Sequence, residues 1–361
     1  MPNPFLVKIG RFARRQADAT VGRLTGRLER SLSAMTLRPF ELHLELTNLC
    51  NANCIFCPYQ FQTRAHEFMP DEIFERAVDD YCSLHGGSVG LTPIVGDPLI
   101  DPKFLDRVRT LKSRPEIDRI FLTTNAILLD RHGVEGVIES GIDTINISTS
   151  GFDEPSYRRI YRSSAYSRML RNVRALVEEN TRRGRPLNLT IALRTDRPLR
   201  EVMKDSDFQP ILEHEPQIDF TWAFASAGGR IRREALSPAF KLKAPPVKRD
   251  CCVNLFNGPI VLPDGTVIAC ACIAALDAPE DLVIGDITKA SLGEIWQSDK
   301  LRDLRASFPD ALPPTCASCD MYHDLTLYRS SEGSRRAQLN RARLEGATRD
   351  GSPARGPFAG G

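Results

Sequence analysis

The chain has 361 residues, 42% of them hydrophobic and 26% charged, which is enough to bury a barrel-sized core and one small additional domain. Its 48 basic residues nearly balance its 46 acidic ones, and the net charge of +2 gives no global field that would attract nucleic acid. No stretch approaches the roughly eighteen consecutive apolar residues of a membrane span. Ten cysteines without a disulfide pattern indicate a reducing, cytoplasmic compartment.

The first 38 residues combine apolar residues at helical spacing with many arginines and lysines. The apolar positions are Phe5, Ile9, Phe12, Val21, Leu24 and Leu28. A basic amphipathic helix of this kind can lie on an anionic membrane surface. It can equally pack its apolar stripe on the rest of the protein. Residues 1–38 are therefore predicted to form a separate helical segment, and both environments stay open.

A first strand leads directly into a cluster of cysteines. Residues 40–47 alternate polar and apolar side chains, which predicts a strand. Cys50, Cys54 and Cys57 follow with the spacing C-x3-C-x2-C. Three thiolates are one fewer than a structural zinc or an ordinary cubane takes from protein, so a cubane held here keeps one iron open. On spacing alone, a zinc knuckle completed by His66 or an electron-transfer cluster with a distant fourth ligand also stays open.

Strands and helices then alternate along residues 39–240. Further strands are predicted over residues 88–95, 119–124, 144–148, 187–193 and 218–224. Helices are predicted after Met69 and over residues 165–180. This alternation predicts an α/β fold, a parallel sheet with helices outside, whose active residues cluster at the carboxyl ends of the strands. Trp222 and Phe224 on the sixth strand can face the pocket or pack in the core, and core packing is the favoured interpretation.

A second group of cysteines lies near the C-terminus. Asp264-Gly265 between apolar stretches predicts a β-hairpin, and Cys252 and Cys270 flank it. Cys316 and Cys319 follow with the spacing C-x2-C. Such a set can bind zinc with four thiolates or hold an iron–sulfur cluster. Residues 241–330 are predicted to form the domain around these cysteines, and residues 331–361, rich in Gly, Arg, Ser and Ala, a disordered tail.

The first cysteine loop resembles that of the radical S-adenosylmethionine (SAM) enzymes, including the aromatic Phe56 before the third cysteine. The resemblance implies a partial (β/α)6-type barrel in which Cys50, Cys54 and Cys57 hold a [4Fe-4S] cluster. Its open iron would chelate SAM, whose reductive cleavage gives a 5′-deoxyadenosyl radical that abstracts a hydrogen atom from substrate. The implied partners are a small-molecule substrate and an electron donor such as flavodoxin or ferredoxin.

Other strand ends are similar to family motifs. Val95-Gly96-Asp97-Pro98 resembles Gly-Gly-Glu-Pro, which contacts the SAM amino group, with Val95 and Asp97 departing from the pattern. Thr124-Asn125 resembles Thr-Asn-Gly, and residues 147–151 resemble Ile-Ser-Leu-Asp-Gly with Ser150 in place of Asp. Arg162 is the implied partner of the SAM carboxylate, and Arg159 is its rival. The implied SAM-binding residues are Phe56, Gly96, Asp97, Pro98, Asn125, Ser148 and Arg162.

The pattern C-x12-G-x4-C with a later C-x2-C resembles the SPASM/twitch extension of this family. Because no cysteine follows Cys319, the resemblance implies the short twitch form with one auxiliary [4Fe-4S] cluster. Its implied metal ligands are Cys252, Cys270, Cys316 and Cys319, with Cys251 as an alternative to Cys252. Cys251 and Cys272 would border that cluster. They are candidate hydrogen-atom donors to a substrate radical, and simple packing is the other interpretation.

An auxiliary cluster favours a redox reaction. The leading hypothesis is oxidation or epimerisation of a hydroxylated small molecule, a sugar or aminocyclitol. A peptide (RiPP) maturase is the first alternative, and it would need a separate leader-binding partner because residues 1–38 are too few for such a domain. A non-enzymatic iron–sulfur electron carrier is the third hypothesis.

Overall fold

The computed structural model describes residues 17–18, 20–21, 25–272 and 275–344. Phe5, Ile9, Phe12 and Leu24 of the predicted N-terminal helix lie outside the described residues, as do residues 345–361. The described part of that segment contains helix α1 (Arg27–Leu37). Ala34 and Met35 of α1 are buried in the protein core.

The core of the molecule is a sheet of six parallel strands that follow one another in chain order. They are β1 (Glu41–Leu44), β2 (Gly87–Gly90), β3 (Ile117–Thr124), β4 (Thr144–Thr149), β5 (Asn188–Arg194) and β6 (Gln217–Thr221). Each predicted strand of this region contributes to the sheet. The predicted α/β class with a partial (β/α)6-type arrangement is confirmed.

Helices separate the parallel strands. They are α2 (Asp71–Ser83), α3 (Phe104–Lys112), α4 (Leu129–His132), α5 (Val134–Glu139), α6 (Glu154–Tyr161), α7 (Tyr166–Arg182), α8 (Leu199–Val202) and α9 (Gln209–Leu212). In α7, Met169, Val173 and Leu176 recur at helical spacing, and all three are buried. Short 3-10 turns at Pro58–Phe61 and Pro98–Ile100 follow the ends of β1 and β2. The helices therefore cover the sheet and leave its strand ends to loops.

The predicted sixth strand is interrupted at Trp222. Strand β6 ends at Thr221, and β7 (Ala223–Phe224) pairs instead with β8 (Lys241–Leu242) in a separate two-stranded sheet. The indole of Trp222 is 43% exposed, with the Lys241 ammonium 4.6 Å from the ring centre. The expectation of core packing is therefore wrong for Trp222, because the chain changes sheets there, whereas Phe224 is buried.

The C-terminal hairpin extends the core sheet. Strand β9 (Ile260–Val261) pairs parallel with β1, and β10 (Thr266–Ile268) pairs antiparallel with β9 and with β11 (Val283–Asp286). Gly265 at the turn has φ +88°, a conformation that favours glycine. The predicted hairpin is present, and through it the C-terminal cysteines are attached to the strand that leads into the first cysteine loop.

Five helices complete the described chain. They are α10 (Leu292–Trp296), α11 (Asp299–Ala306), α12 (Pro314–Ser318), α13 (Thr326–Arg329) and α14 (Ser331–Leu344). Helix α14 packs on α1, where the Asn340 amide donates hydrogen bonds to the carbonyls of Ala34 and Arg38 at 3.0 Å each. The prediction of a disordered tail is therefore wrong for residues 331–344, because buried polar contacts order this Arg-rich helix.

None of the described helices combines the length and the apolar character needed to cross a bilayer. A membrane-surface contact is one of the two environments predicted for residues 1–38, and about half of these residues lie outside the described part of the chain. In the described part, the Trp296 indole N–H donates to the Met35 carbonyl at 3.4 Å, so α1 packs on protein.

Candidate active site

The loop after β1 brings Cys50, Cys54 and Cys57 together. The Ile55 N–H donates to the Ile160 carbonyl at 2.9 Å, and the Asn53 N–H donates to the Tyr161 carbonyl at 3.2 Å. These bonds hold the loop on the C-terminal end of α6.

The electrostatics of the three thiols show that they are neighbours. Burial raises the pKa of Cys54 well above its usual range, and Cys57 and Cys50 raise it further. Burial also raises the pKa of Cys50 to about 12, with a contribution from Asp97. Iron must therefore displace protons from these thiols when it binds.

The donor set fits a three-thiolate iron–sulfur cluster better than a single ion. Among the described residues, no three His, Cys, Asp or Glu side chains converge as ligands of one metal ion. A cubane instead carries each thiolate on a different iron. His66 is exposed and its ring stacks on Tyr59 with centroids 6.0 Å apart, so the structure does not place it as a fourth ligand.

Asn125 contacts the first cysteine of the loop. Its amide nitrogen lies 3.8 Å from the Cys50 sulfur and donates to the Asn51 side-chain oxygen at 2.6 Å. A donor at this sulfur stabilises a thiolate and influences the potential of a cluster that it holds. The predicted contact of Asn125 with SAM stays a prediction; the observed contact is with the cysteine loop.

Asp97 joins the end of β2 to the end of β3. Its buried carboxylate accepts hydrogen bonds from the Leu99 N–H at 3.1 Å, the Thr124 hydroxyl at 2.8 Å and the Asn125 N–H at 2.8 Å. Burial raises the pKa of this carboxyl group, and the three hydrogen bonds oppose that rise. The Asp97 carboxylate therefore braces two strand ends, and its predicted contact with the SAM amino group would come in addition to this role.

Gly96 and Pro98 shape the same segment. Gly96 has φ +87°, and a Cβ at this position would collide with the Thr47 carbonyl oxygen, so glycine is needed for the close approach. The Asp97 N–H donates to the Leu49 carbonyl at 2.8 Å. Pro98 begins the 3-10 turn Pro98–Ile100. The predicted motif is thus packed directly against the start of the cysteine loop.

Ser148 at the end of β4 is held between Tyr161 and Arg194. Its hydroxyl lies 2.7 Å from the Tyr161 hydroxyl and accepts a hydrogen bond from Arg194 Nε at 2.9 Å. The Arg194 guanidinium lies 5.8 Å from the centre of the Phe56 ring, and its charge opposes the burial that raises the pKa values of Cys54 and Cys57. A serine hydroxyl and a cation therefore stand side by side next to the cysteine loop.

Sequence reasoning did not single out Arg194. The available signal was a charged residue at the carboxyl end of the apolar strand β5, the edge where such a fold places its active residues. Arg162, the predicted cation, follows α6 with φ +48° and donates to the Gln60 amide oxygen at 3.2 Å. Arg159 is paired with Asp196 at 2.9 and 3.0 Å. Of these three arginines, Arg194 is the one that contacts Ser148.

Phe56 anchors the cysteine loop in an aromatic cluster. Its ring stacks on Phe224 with centroids 4.7 Å apart and meets Tyr161 and Phe240 edge-on at 5.6 and 6.4 Å. Such contacts add to the burial of apolar area. The cluster joins the loop to Phe224 in β7 and to Phe240 just before β8.

Five cysteines line one cavity in the C-terminal region. They are Cys252, Cys270, Cys272, Cys316 and Cys319. Cys251 does not line this cavity, and its thiol donates to the Cys252 carbonyl at 3.9 Å. All ten cysteines of the chain lie within the described residues, and none is in a disulfide. The four predicted ligands are thus brought together, Cys252 is favoured over Cys251, and Cys272 joins them.

Cys272 contacts two of the predicted ligands. Its sulfur lies 2.8 Å from the Cys319 sulfur, and its backbone N–H donates to the Cys270 sulfur at 3.2 Å. The hydrogen bond from Cys272 lowers the pKa of Cys319. The predicted role of Cys251 and Cys272 as hydrogen-atom donors remains a prediction.

An ion-pair network connects the two cysteine groups. The Arg64 guanidinium binds both carboxylate oxygens of Glu45 at 2.7 and 2.9 Å and donates to the Leu276 carbonyl at 2.8 Å. Asp277 accepts from the Thr63 N–H at 2.8 Å and from Arg230 at 2.5 Å. Residues just after the first cysteine loop therefore contact residues just after Cys272.

Two family models match the chain. The radical SAM superfamily model matches residues 44–205, and a SPASM iron–sulfur cluster-binding domain model matches residues 251–320. The first range contains the first cysteine loop and the strand ends around it. The second range contains all five cysteines of the C-terminal cavity.

The curated relatives include GTP 3′,8-cyclases. The protein from Clostridium perfringens is 30% identical over 148 residues, which are 39% of this chain and 44% of that protein. The protein from Chlorobaculum tepidum is 28% identical over 214 residues, 55% of this chain and 61% of that protein. The chain thus spans about half the length of these relatives.

Solved structures share the fold. BtrN in complex with AdoMet and 2-DOIA has a TM-score of 0.52 and 16% identity, over 78% of this chain and 92% of that one. Streptococcus suis SuiB bound to the precursor peptide SuiA has a TM-score of 0.56 and 16% identity, over 82% and 74%. The two matched sequence models, supported by this fold and by the cysteine geometry, make the chain a member of the radical SAM superfamily with a C-terminal SPASM iron–sulfur domain.

Proposed function

We propose that this chain is an oxidoreductase that removes a hydrogen atom from a carbinol carbon of a hydroxylated small molecule, a sugar or an aminocyclitol, and oxidises it to the ketone. The observation that carries the proposal is the five-cysteine cavity connected to the first cysteine loop through Arg64. When bound, SAM and its cluster supply the radical that abstracts hydrogen, and the auxiliary cluster supplies an acceptor for the second electron.

The residues around the first loop suit the binding of SAM. Arg194 and Ser148 offer a cation and a hydroxyl group side by side, the combination that a carboxylate binds. Asp97 and Asn125 hold two strand ends against the cysteine loop. The rings around Phe56 pack against one side of the loop.

The position of Cys272 favours oxidation over epimerisation. Epimerisation needs a thiol that returns a hydrogen atom to the substrate carbon. Cys272 is buried and lines the C-terminal cavity, with its sulfur 2.8 Å from the Cys319 sulfur. Cys251 does not line that cavity. Oxidation needs no such thiol: the second electron leaves through the auxiliary site, and the hydroxyl proton is released to solvent.

The fold neighbours agree with a small-molecule substrate without selecting it. BtrN was solved with AdoMet and 2-DOIA, and SuiB was solved with a precursor peptide. The curated relatives are GTP 3′,8-cyclases. The proposed sugar or aminocyclitol substrate is therefore compared with a peptide and with GTP.

The test is an anaerobic assay of the reconstituted and reduced protein with SAM. Aminocyclitols, sugars, GTP and a precursor-type peptide are added separately, and 5′-deoxyadenosine and product masses are measured. We expect an aminocyclitol or sugar to stimulate 5′-deoxyadenosine formation at least tenfold and to lose two hydrogens. Stimulation by the peptide alone or by GTP alone would contradict the proposal, and a product of unchanged mass would indicate epimerisation. The Cys54→Ala variant, which lacks one predicted ligand of the first cluster, is the negative control.

A further inference from the structure

We infer that Cys272 and Cys319 share one ligand position of the auxiliary cluster, so that the site holds five thiols for a cluster that takes four. The inference rests on the auxiliary cluster that the proposed function uses. It assigns Cys272 a place in the metal site.

The distance between the two sulfurs carries the inference. In a cubane each thiolate binds a different iron, so ligating sulfurs stand at separate corners, beyond hydrogen-bonding distance of one another. Even a single tetrahedral zinc, with bonds of about 2.3 Å, keeps its sulfurs about 3.8 Å apart. The Cys272 and Cys319 sulfurs lie 2.8 Å apart. Both thiols are therefore directed at the same corner, and only one of them ligates.

The remaining cysteines of the cavity supply the other corners. Cys252, Cys270 and Cys316 come from three separate segments of the chain and line the same wall. With the shared position they make four ligands. The cavity is otherwise lined mainly by apolar and neutral side chains such as Leu255, Leu282 and Phe308, which can substitute for no thiolate.

The thiol that does not ligate has its own effect. The thiol that does not ligate lies 2.8 Å from the ligating sulfur and is placed to donate a hydrogen bond to it. Hydrogen bonds to cluster sulfurs stabilise the more negative, reduced state and raise the reduction potential. The Met321 N–H already donates to the Cys319 sulfur at 3.3 Å, so the Cys272 thiol adds a second donor at that sulfur.

The experiment compares single and double variants of the full chain after anaerobic reconstitution. Cys272→Ala and Cys319→Ala should each retain about eight irons per chain, the content of two [4Fe-4S] clusters. The double variant keeps three thiolates, the number in the first loop, so it should hold an auxiliary cluster with one open iron. The matched control Cys270→Ala, whose corner has no second thiol, should do the same, and Mössbauer spectra detect the open iron. In Cys272→Ala the auxiliary potential should fall, as measured by EPR-monitored redox titration.

Each other outcome has a definite meaning. If Cys319→Ala alone opens an auxiliary iron while Cys272→Ala does not, the position is not shared and the inference is wrong. If the wild-type chain binds no iron in the C-terminal cavity, both the inference and the proposed function are wrong. An unchanged auxiliary potential in Cys272→Ala would also overturn the inference. That titration needs only the milder variant, so it decides the question even if Cys319→Ala does not fold.

Discussion

A cubane cluster takes four thiolates from a protein. Of the two cysteine groups of this protein, one has fewer than four thiols and the other has more. The loop after β1 offers three, and the C-terminal cavity offers five. One missing thiol leaves an iron open for a ligand that reacts, and one additional thiol keeps every iron covered. The number of thiols thus agrees with the proposed function, in which the first site performs chemistry at iron and the second accepts an electron.

The two groups also differ in how the chain assembles them. Cys50, Cys54 and Cys57 lie within one loop, and neighbouring strand ends brace that loop. The auxiliary cysteines come from the segment before β9, the segment after β10, and α12 with the residue that follows it, so only the tertiary fold brings them together. Arg64 and Asp277 then link one group to the other.

The largest expected effect comes from removing a thiolate where none is in reserve. Cys54→Ala leaves two ligands, so we expect complete loss of SAM cleavage and a fall from about eight to about four irons per chain. The matched control is Cys82→Ala in α2, outside both groups, which should keep both iron content and cleavage. Iron analysis and 5′-deoxyadenosine assays measure the two effects. Normal SAM cleavage by Cys54→Ala would contradict the contrast between the two cysteine groups.

The next effect concerns the ion pair that connects the groups. Arg64→Met leaves the Glu45 carboxylate, which is fully buried, without its cation. Breaking a buried pair in this way lowers the free energy of unfolding by about 3–5 kcal/mol. Anaerobic urea titration measures the loss. The double variant Glu45→Gln/Arg64→Met removes the orphaned charge and should recover part of it; equal losses in both variants would show that charge is not the cause.

A smaller effect is expected at the predicted SAM carboxylate site. Arg194→Gln removes a charge-assisted donor beside Ser148, a loss of about 1.5–3 kcal/mol, which weakens SAM binding roughly 10- to 100-fold. Equilibrium dialysis of the reconstituted protein measures it. Arg158→Gln is the control, because Arg158 is exposed and pairs with Glu154 on the surface of α6. If Arg162→Gln weakens binding and Arg194→Gln does not, the assignment reverts to Arg162.

The smallest effect should come from Asp277. Its carboxylate accepts from Thr63 and from a half-exposed Arg230, so Asp277→Asn should lower the free energy of unfolding by only about 1 kcal/mol. The same urea titration measures it. A loss as large as that of Arg64→Met would mean that Asp277, rather than Arg64, is the main connection between the two groups.

Local sequence patterns predicted the structural features that depend on residues close together in the chain. The cysteine spacing, the strand before it and the turn at Gly265 each follow from a few consecutive residues, and all appear in the structure. The disordered tail was predicted from composition, and it is wrong for residues 331–344 because Asn340 and Arg343 are buried by partners far away in the chain.

Contacts between distant segments escaped the sequence reasoning. Arg194 meets Ser148 only because β4 and β5 are neighbours in the sheet. Cys272 meets Cys319 across 47 positions of the chain, and spacing alone left Cys272 beside the ligand set rather than within it. Trp222 was assigned to the core because its strand was expected to continue, whereas the chain changes sheets at that residue.

Mössbauer spectroscopy of the protein reconstituted with iron-57, before and after addition of SAM, tests the contrast between the groups most directly. One open iron in the first cluster and none in the auxiliary cluster predict that SAM changes the signal of about one iron in eight. A change in about two irons in eight would mean that the auxiliary cluster also has an open corner. No change at all would mean that the first loop leaves no iron open to SAM.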